Sequence, residues 1–166
     1  MKKALLVVDM QEATVGTNHA PIFKYDSDLL NRVNSVIDKT DASLVIYIKH
    51  LTKKNLINML APVKCFEGTA AAEWVNGLKI VSPHCFRKYV GNAFSNAELT
   101  NFLKENACDT IELIGVDGGA CVALTAISAC ENGFKVILNT SAIGTVFKSK
   151  RDRYFNKLKR LGAEFI

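Results

Sequence analysis

The segment GVDGGACVALTAISAC places one cysteine, Cys121, where nucleophilic chemistry is favoured. The apolar run Thr110–Val116 predicts a buried strand, and the residues after the glycines predict a helix over Cys121–Glu131. A thiol at a helix N-terminus lies near free backbone N–H groups and the positive end of the helix dipole, which favour the reactive thiolate. The same N–H groups can stabilise the oxyanion of a tetrahedral intermediate. We therefore predict that Cys121 is the catalytic nucleophile of a hydrolase.

The Cys121 segment also allows two other interpretations. A buried, unreactive thiol is the usual state of a lone cysteine, but the glycine-rich turn between strand and helix favours a reactive one. A dinucleotide-binding loop would need the spacing G-x-G-x-x-G, whereas the glycines here are Gly115, Gly118 and Gly119. Nucleotide binding is therefore disfavoured.

Two further side chains could take part in chemistry with Cys121. Asp9 ends the apolar run Ala4–Val8 in LLVVDMQ, so it is either a turn cap or a carboxylate suited to proton transfer. Lys88, in HCFRKYVGNAF, is either a solvated surface charge or a cation that leans into a site. Together the three residues form a candidate set.

Short apolar strands alternate with amphipathic helices along the chain, a pattern that predicts βαβ units. We predict strands over Ala4–Val8, Ser43–Ile48, Thr110–Val116, Phe134–Leu138 and Ala163–Ile166, and helices over Asp26–Lys39, Ser95–Asn106, Cys121–Glu131 and Lys148–Leu161. The first helix would be capped by Asp26 or Ser27, and the second by Ser95 with Glu98 in a capping box. Residues 50–91 are predicted to be irregular, with one or two short strands. The fold class is therefore a three-layer α/β/α architecture with a largely parallel, Rossmann-like sheet, whose ligands bind beyond the carboxyl ends of the strands.

Composition and charge exclude several classes of protein. The chain has 166 residues, 49% hydrophobic and 22% charged, which is typical of one globular domain over residues 1–166. Because no apolar run is long enough for a membrane helix or signal peptide, we expect a cytoplasmic protein with no membrane partner. The five cysteines contain no C-x-x-C pair, which argues against a structural zinc site. The basic residues of the last predicted helix are interpreted as a solvated face and not as a nucleic-acid-binding surface.

Four segments resemble the isochorismatase-like cysteine hydrolases, a superfamily that includes nicotinamidases, carbamoylsarcosine-type amidohydrolases and ureidoacrylate hydrolases. These segments are LLVVDMQ, CFEGTAAAEWVNGL, RKYVGNAF and LIGVDGGACVALTAISACENGFKVIL, and they occur in the order seen in that superfamily. The resemblance implies that Asp9, Lys88 and Cys121 form an Asp–Lys–Cys catalytic triad. It also implies a cis peptide bond between Val116 and Asp117, with the backbone N–H groups of Asp117 and Cys121 forming an oxyanion hole.

The sequence departs from nicotinamidases of this superfamily where those relatives hold a metal ion. They use an Asp-x-His pair and a further histidine after the second strand, whereas the segment KHLTKKNLINML offers only His50. We therefore predict no metal and no other cofactor. Relatives that cleave isochorismate lack the nucleophilic cysteine, so Cys121 favours cleavage of a C–N bond through a thioester. The expected substrate is a small carboxamide, carbamoyl or ureido compound.

The remaining predictions concern substrate contacts, partners and alternative functions. The predicted substrate contacts are Gln11, Trp74, Phe94, Tyr89 and His50. A Cys–His hydrolase that uses His50 or His84, an isochorismate-type hydrolase and a catalytically silent binding protein are the alternatives. The resemblance implies a homodimer or homotetramer that acts on a small molecule, with no nucleic-acid partner.

Overall fold

The computed structural model describes residues 2–17, 19–41, 44–55, 58–60 and 64–166. Within these ranges six strands form one sheet: β1 (Lys3–Val8), β2 (Val45–His50), β3 (Cys85–Lys88), β4 (Thr110–Val116), β5 (Lys135–Gly144) and β6 (Glu164–Phe165). The helices are α1 (Glu12–Val15), α2 (Leu29–Asp38), α3 (Ala97–Glu105), α4 (Cys121–Glu131) and α5 (Lys148–Arg160). Short 3-10 turns cover Asn58–Leu60, Ala70–Ala72 and Ala93–Ser95. None of the helices in these ranges is long and apolar enough to cross a membrane.

The strand order is β3-β2-β1-β4-β5-β6, and every neighbouring pair is parallel. The chain therefore builds one half of the sheet outward from β1 to β3, and then the other half outward from β4 to β6. The point at which the direction reverses lies between β1 and β4. In open α/β sheets the ligand site lies beyond the carboxyl ends of the strands at this switch point.

Alternate side chains of β1 point to opposite faces of the sheet and enter two separate cores. Leu6 and Val8 pack with α3, α4 and α5 on one face, while Leu5 and Val7 pack with α2 on the other. This arrangement confirms the predicted three-layer α/β/α fold. Helix α4 is largely buried because it contacts β4 and β5 of the sheet, helix α5 and the turn Ala93–Ser95.

Several predicted boundaries are wrong. Helix α2 begins at Leu29 because Asp26 Oδ1 accepts the backbone N–H of Asp28, which closes a turn before the helix. Asn96, not Ser95, caps α3, since Asn96 Oδ1 accepts the backbone N–H of Glu98 at 3.0 Å.

The predicted strands differ from the observed ones in length. Strand β5 continues past Leu138 to Gly144, because Ile143 and Gly144 pair with the end of β4 after a register shift. Strand β2 extends to His50, while the predicted start at Ser43 lies outside the described residues. The last strand is shorter than predicted, and the irregular region contains one strand, β3, among its described residues.

The central pair β1–β4 can approach closely only because position 115 is glycine. Gly115 pairs with Val8 and has a φ of +105°, a region that other residues rarely adopt. A Cβ atom at this position would lie 2.2 Å from the Val8 carbonyl oxygen and 2.8 Å from the Val8 nitrogen. Both atoms belong to the backbone, so neither can move without displacing β1.

We predict that Gly115→Ala is much more destabilising than Gly133→Ala. Gly133 also has a positive φ, +85°, but no atom lies within 4 Å of the position that a Cβ would take, so only the backbone conformation is penalised. The expected loss in free energy of unfolding is about 1–2 kcal/mol for Gly133→Ala and at least about 3 kcal/mol for Gly115→Ala. Urea denaturation of the two variants measures the difference, and equal losses would contradict the proposed steric constraint.

Candidate active site

Four side chains that could take part in chemistry meet at the carboxyl edge of the sheet. Asp9 directly follows β1, His50 ends β2, Lys88 ends β3, and Cys121 begins α4 after β4. His50 and Lys88 are paired in the register of β2 and β3. Because parallel strands end at the same edge, residues distant in sequence become neighbours here.

The Lys88 ammonium is the centre of this cluster. Its Nζ lies 2.8 Å from Asp9 Oδ2, 3.2 Å from Cys121 Sγ and 3.2 Å from His50 Nδ1. The Lys88 side chain has no solvent exposure and that of Asp9 has 4%. An ammonium has three N–H donors, so each of them has a partner.

The ionic state of Lys88 follows from two opposing effects. Burial disfavours the ammonium and by itself would lower the pKa of Lys88. The charge of Asp9, followed by the interaction with Cys121, outweighs burial, so the net effect raises the pKa above its usual value. Lys88 therefore remains a cation at neutral pH.

His50 is held as a neutral imidazole of one tautomer. Burial, and then the neighbouring Lys88 ammonium, lowers the pKa of His50. Because an ammonium can only donate, Nδ1 must accept from Lys88, which leaves the ring proton on Nε2 for the backbone carbonyl of Val90. The buried Gln11 amide fixes the His50 backbone: its Nε2 donates to His50 O at 3.0 Å, and its Oε1 accepts from His50 N at 2.7 Å.

Asp9 has an uncommon backbone conformation, and one of its carboxylate oxygens accepts no hydrogen bond from the described residues. Its φ is +53°, and the Thr14 hydroxyl donates to its carbonyl oxygen at 2.6 Å while its N–H donates to Ile48 O at 3.0 Å. Oδ2 accepts from Lys88, but Oδ1 is buried with no hydrogen-bond partner among the described residues. A buried acceptor without a donor is costly in a folded protein. Oδ1 is thus an available proton acceptor inside the site.

The Cys121 thiol is protonated in the resting site. Burial, and then the negative charge of Asp9, raises the pKa of Cys121 to about 12, and the opposing effect of Lys88 does not offset this. The direction is opposite to the one predicted from the position of Cys121 at a helix N-terminus. The reason is that Asp9 and Lys88 largely cancel each other, so that desolvation of the thiolate dominates.

The turn before Cys121 is shaped by Asp117. The Val116–Asp117 peptide bond is cis, as predicted. The Asp117 carboxylate accepts the backbone N–H groups of Gly119 and Val146, each at 2.6 Å. The glycine at 119 is required by space, since a Cβ there would lie 2.2 Å from the Phe147 carbonyl oxygen. The N–H groups of Asp117 and Cys121 have no acceptor among the described residues, so both are free to bind a ligand.

A small cavity of about 180 Å³ opens over the Cys121 thiol and also borders Asp9, His50 and Asp117. Its volume is below the ~300–1,000 Å³ of typical ligand pockets, which favours a small ligand. Three aromatic side chains and four smaller groups complete its walls, namely Phe23, Tyr25, Phe147, Thr14, Cys65, Val116 and Ala120.

Four predicted substrate contacts do not line this cavity. Gln11 is fully buried and holds His50, and Trp74 packs on Tyr47 with 5.7 Å between ring centroids. Phe94 packs against Phe134 in the core, and Tyr89 lines a separate surface groove. His84, considered as an alternative base, packs on Phe102 with 4.5 Å between ring centroids.

Sequence reasoning missed the aromatic walls of the cavity. Phe23 and Tyr25 lie in a segment without helix or strand periodicity, so no local pattern points to them. Phe147 lies between the end of β5 and the start of α5. The rule that sites lie beyond strand ends would identify it only if β5 were predicted to reach Gly144.

The residues present do not fit a bound metal ion. Among the described residues, one group of three potential ligands exists, Asp9, His50 and Cys121, with ligand atoms within 4.8 Å of one another. The Lys88 ammonium already contacts all three of them. A cation of the chain itself therefore occupies the position that a metal would need.

We predict that the two charged neighbours shift the Cys121 pKa in opposite directions. Asp9→Asn removes a negative charge, so the pKa of Cys121 should fall and alkylation by iodoacetamide near neutral pH should be at least about tenfold faster. Lys88→Met should slow the same reaction. Peptide-level mass spectrometry must follow Cys121, since Cys85 is exposed as well.

A surface variant provides the control for this alkylation experiment. Asp38→Asn removes an exposed carboxylate that pairs with Lys79, and it should leave the rate at Cys121 unchanged. If Asp9→Asn slows alkylation or has no effect in a folded protein, the assignment of Asp9 as the charge that holds the thiol protonated is incorrect.

Comparison with known proteins identifies the family. The sequence model of the Isochorismatase domain matches residues 3–166. Over 85 residues the chain is 31% identical to the probable hydrolase YcaC of Escherichia coli strain K12, an alignment that covers 51% of this chain and 41% of that relative. The aligned part thus spans less than half the length of the relative.

Solved structures share the fold over nearly the whole chain. PnC1 from L. infantum in complex with nicotinate has a TM-score of 0.90 and 21% identity, with coverage of 99% of this chain and 92% of that one. The pyrazinamidase of Pyrococcus horikoshii in complex with zinc has a TM-score of 0.85 and 23% identity (coverage 100% and 99%). N-carbamoylsarcosine amidase from Thermoplasma acidophilum has a TM-score of 0.81 and 23% identity (coverage 99% and 95%). Since the family match extends over residues 3–166, the chain belongs to the isochorismatase family of hydrolases.

Proposed function

We propose that the protein is a cysteine hydrolase that cleaves a C–N bond in a small carboxamide, carbamoyl or ureido compound. The observation that carries this proposal is the Lys88 ammonium, which contacts both the Asp9 carboxylate and the Cys121 thiol at the wall of a small cavity. This arrangement supplies a nucleophile, a base and a fixed cation within hydrogen-bonding distance.

The first step combines deprotonation of the thiol with its attack. Because the thiol is protonated at rest, Asp9 takes the Cys121 proton on its free Oδ1 as sulfur approaches the substrate carbonyl carbon. Lys88 stabilises the sulfur charge as it develops and keeps its own three protons. No full thiolate needs to exist before the substrate is bound.

The tetrahedral intermediate then collapses to a thioester. Its oxyanion accepts hydrogen bonds from the free N–H groups of Asp117 and Cys121, which lie at the turn between β4 and α4. Asp9 returns the proton to the departing nitrogen, so the C–N bond breaks and a neutral amine or ammonia leaves. The Cys121 sulfur remains bonded to the acyl carbon.

Hydrolysis of the thioester restores the site. Asp9 takes a proton from a water molecule, and the hydroxide formed attacks the acyl carbon with the same two N–H groups binding the oxyanion. The C–S bond breaks, the sulfur regains the proton from Asp9, and an acid is released. Every proton moves between Asp9, Cys121, water and substrate.

The related structures support an amide-type reaction. One relative is named an N-carbamoylsarcosine amidase, another a pyrazinamidase, and a third binds nicotinate. We extend C–N bond hydrolysis to this chain because the Asp9, Lys88 and Cys121 side chains are assembled around one cavity. The expectations of a homodimer or homotetramer, and of a small-molecule substrate without a cofactor or nucleic-acid partner, stay predictions.

We predict that Cys121→Ala abolishes turnover without unfolding the protein. A panel of small amides, carbamoyl and ureido compounds is screened for ammonia release. With any compound that the wild type hydrolyses, the rate should fall by at least about 10⁴-fold in the variant. Hydroxylamine added to the wild type should divert the thioester to a hydroxamate. Thermal unfolding verifies that the variant is folded.

Cys85→Ala is the matched control, because Cys85 is an exposed thiol outside the cavity and its loss should leave the rate unchanged. Turnover by Cys121→Ala at the wild-type rate would show that Cys121 is not the nucleophile. No turnover of any compound by the folded wild type would instead favour a catalytically silent binding protein.

A further inference from the structure

We infer that the cavity selects uncharged amides and discriminates against compounds that carry a carboxylate, such as N-carbamoyl amino acids. This inference names the substrate class of the proposed reaction and therefore rests on the proposed function. The evidence for the inference is the set of charged side chains that border the cavity.

The cavity offers no cation to an anionic ligand. The charged side chains that line it are Asp9 and Asp117, both negative. Lys88 is adjacent, but its side chain is completely buried and all three of its N–H groups are bonded within the cluster. Among the described residues no arginine and no other lysine lines this cavity, and the residues outside the described ranges carry no charged side chain.

His50 cannot supply a positive charge either. Its Nδ1 accepts from Lys88, and its other ring nitrogen faces the Val90 carbonyl. Protonation of His50 would place an imidazolium directly against the Lys88 ammonium, which is why the pKa of His50 is lowered by Lys88 as well as by burial. At neutral pH the imidazole adds no charge.

Asp117 leaves a net negative charge at the cavity wall. The charges of Asp9 and Lys88 compensate each other at 2.8 Å, whereas the Asp117 carboxylate is bound by two backbone N–H groups and, among the described residues, by no cation. Tyr25 interacts with Asp117, and its pKa is raised by burial and by that negative charge, so it remains a neutral hydroxyl. A substrate carboxylate would face an uncompensated charge of the same sign.

The remaining walls increase the penalty for an anion. Phe23, Phe147, Val116 and Ala120 present apolar surface to the cavity, which offers few replacements for the water molecules around a carboxylate. An uncharged amide avoids this desolvation penalty. Its carbonyl oxygen can use the two free N–H groups at the Cys121 turn, and its other atoms can contact the aromatic rings.

The same charge distribution affects product release. Hydrolysis of an uncharged carboxamide produces a carboxylic acid, which ionises at neutral pH beside Asp9 and Asp117. The cavity that accepted the amide therefore repels the product. We expect inhibition by the acid to be weak relative to binding of the amide.

Two matched pairs of compounds test this inference. The first pair is 4-methylpentanamide and succinamate, and the second is isobutylurea and N-carbamoylglycine; within each pair an isopropyl group replaces a carboxylate of similar shape. Ammonia release by the wild type should give a kcat/KM at least about 100-fold lower for each carboxylate-bearing member. Calorimetric titration into Cys121→Ala measures binding of all four compounds independently of turnover.

The outcomes separate this inference from the proposed function. Tighter binding of the uncharged member to Cys121→Ala supports the inference even if no compound is hydrolysed. Equal or tighter binding of the carboxylate-bearing member, or no measurable binding of either uncharged member, overturns it. Failure of Cys121-dependent turnover with every compound of the wider amide screen counts against the proposed function alone.

Two variants of one cavity residue test whether charge is the cause of the preference for uncharged compounds. Phe23→Arg places a cation at the cavity wall, whereas Phe23→Leu changes the same wall without charge. The arginine variant should shift the binding preference toward N-carbamoylglycine by at least about tenfold relative to the leucine variant. An unchanged preference in a folded Phe23→Arg protein would contradict the assignment of charge as the basis of selection.

Discussion

The buried Lys88 ammonium is the interaction on which the geometry of the site depends. A completely buried cation is tolerated only when its charge is paired and its donors are satisfied. Asp9 provides the opposite charge, and His50 and Cys121 provide the remaining acceptors. Asp9 follows β1, His50 ends β2 and Cys121 begins the helix after β4. Lys88, at the end of β3, therefore connects β1, β2 and β3 on one side of the switch point to β4 on the other side. The loss of any partner would leave a buried donor or charge uncompensated.

Because of this arrangement, the Cys121 thiol is not deprotonated in the resting site. Lys88 would lower the pKa of Cys121 if it acted alone, but its charge is already neutralised by Asp9, so burial determines the outcome. In the proposed mechanism Cys121 therefore stays protonated until a substrate brings its carbonyl carbon to the sulfur and the N–H groups of Asp117 and Cys121 bind the oxyanion. In the proposed mechanism the base matters more than the resting ionisation of the sulfur. Asp9 Oδ1, which accepts no hydrogen bond from the described residues, is in position to serve as that base.

The sequence is sufficient to predict the architecture and two residues of the cluster, because both follow from rules about strands. Apolar runs identify β1 and β4, and the residues after those runs, Asp9 and Cys121, have to lie at the carboxyl edge. Lys88 needs the family resemblance, since nothing local distinguishes it from a surface lysine. The second half of β5 escapes prediction because it begins with polar residues, and because the pairing of Ile143 and Gly144 with β4 depends on a register shift that no periodicity records.

The predicted substrate contacts that do not line the cavity have a different origin. The position of Gln11 after β1 suggests a contact, but its amide is occupied by the His50 backbone and the Ala72 carbonyl, which belong to segments far apart in sequence. Trp74 is an aromatic residue within a family motif, yet it packs on Tyr47. Residue type alone does not indicate which face of a loop meets the cavity.

The central ion pair also sets the character of the ligand site. A lysine that binds a substrate anion must have free N–H donors and uncompensated charge, and Lys88 has neither. The Lys88 charge is compensated within the cluster, so Asp117 is the acidic side chain at the cavity that has no cation partner among the described residues. The same contacts occupy the triangle of Asp9, His50 and Cys121 that could otherwise bind a metal ion. The proposed nucleophile, the poor fit for a metal ion and the inferred preference for an uncharged substrate therefore all depend on one buried ammonium.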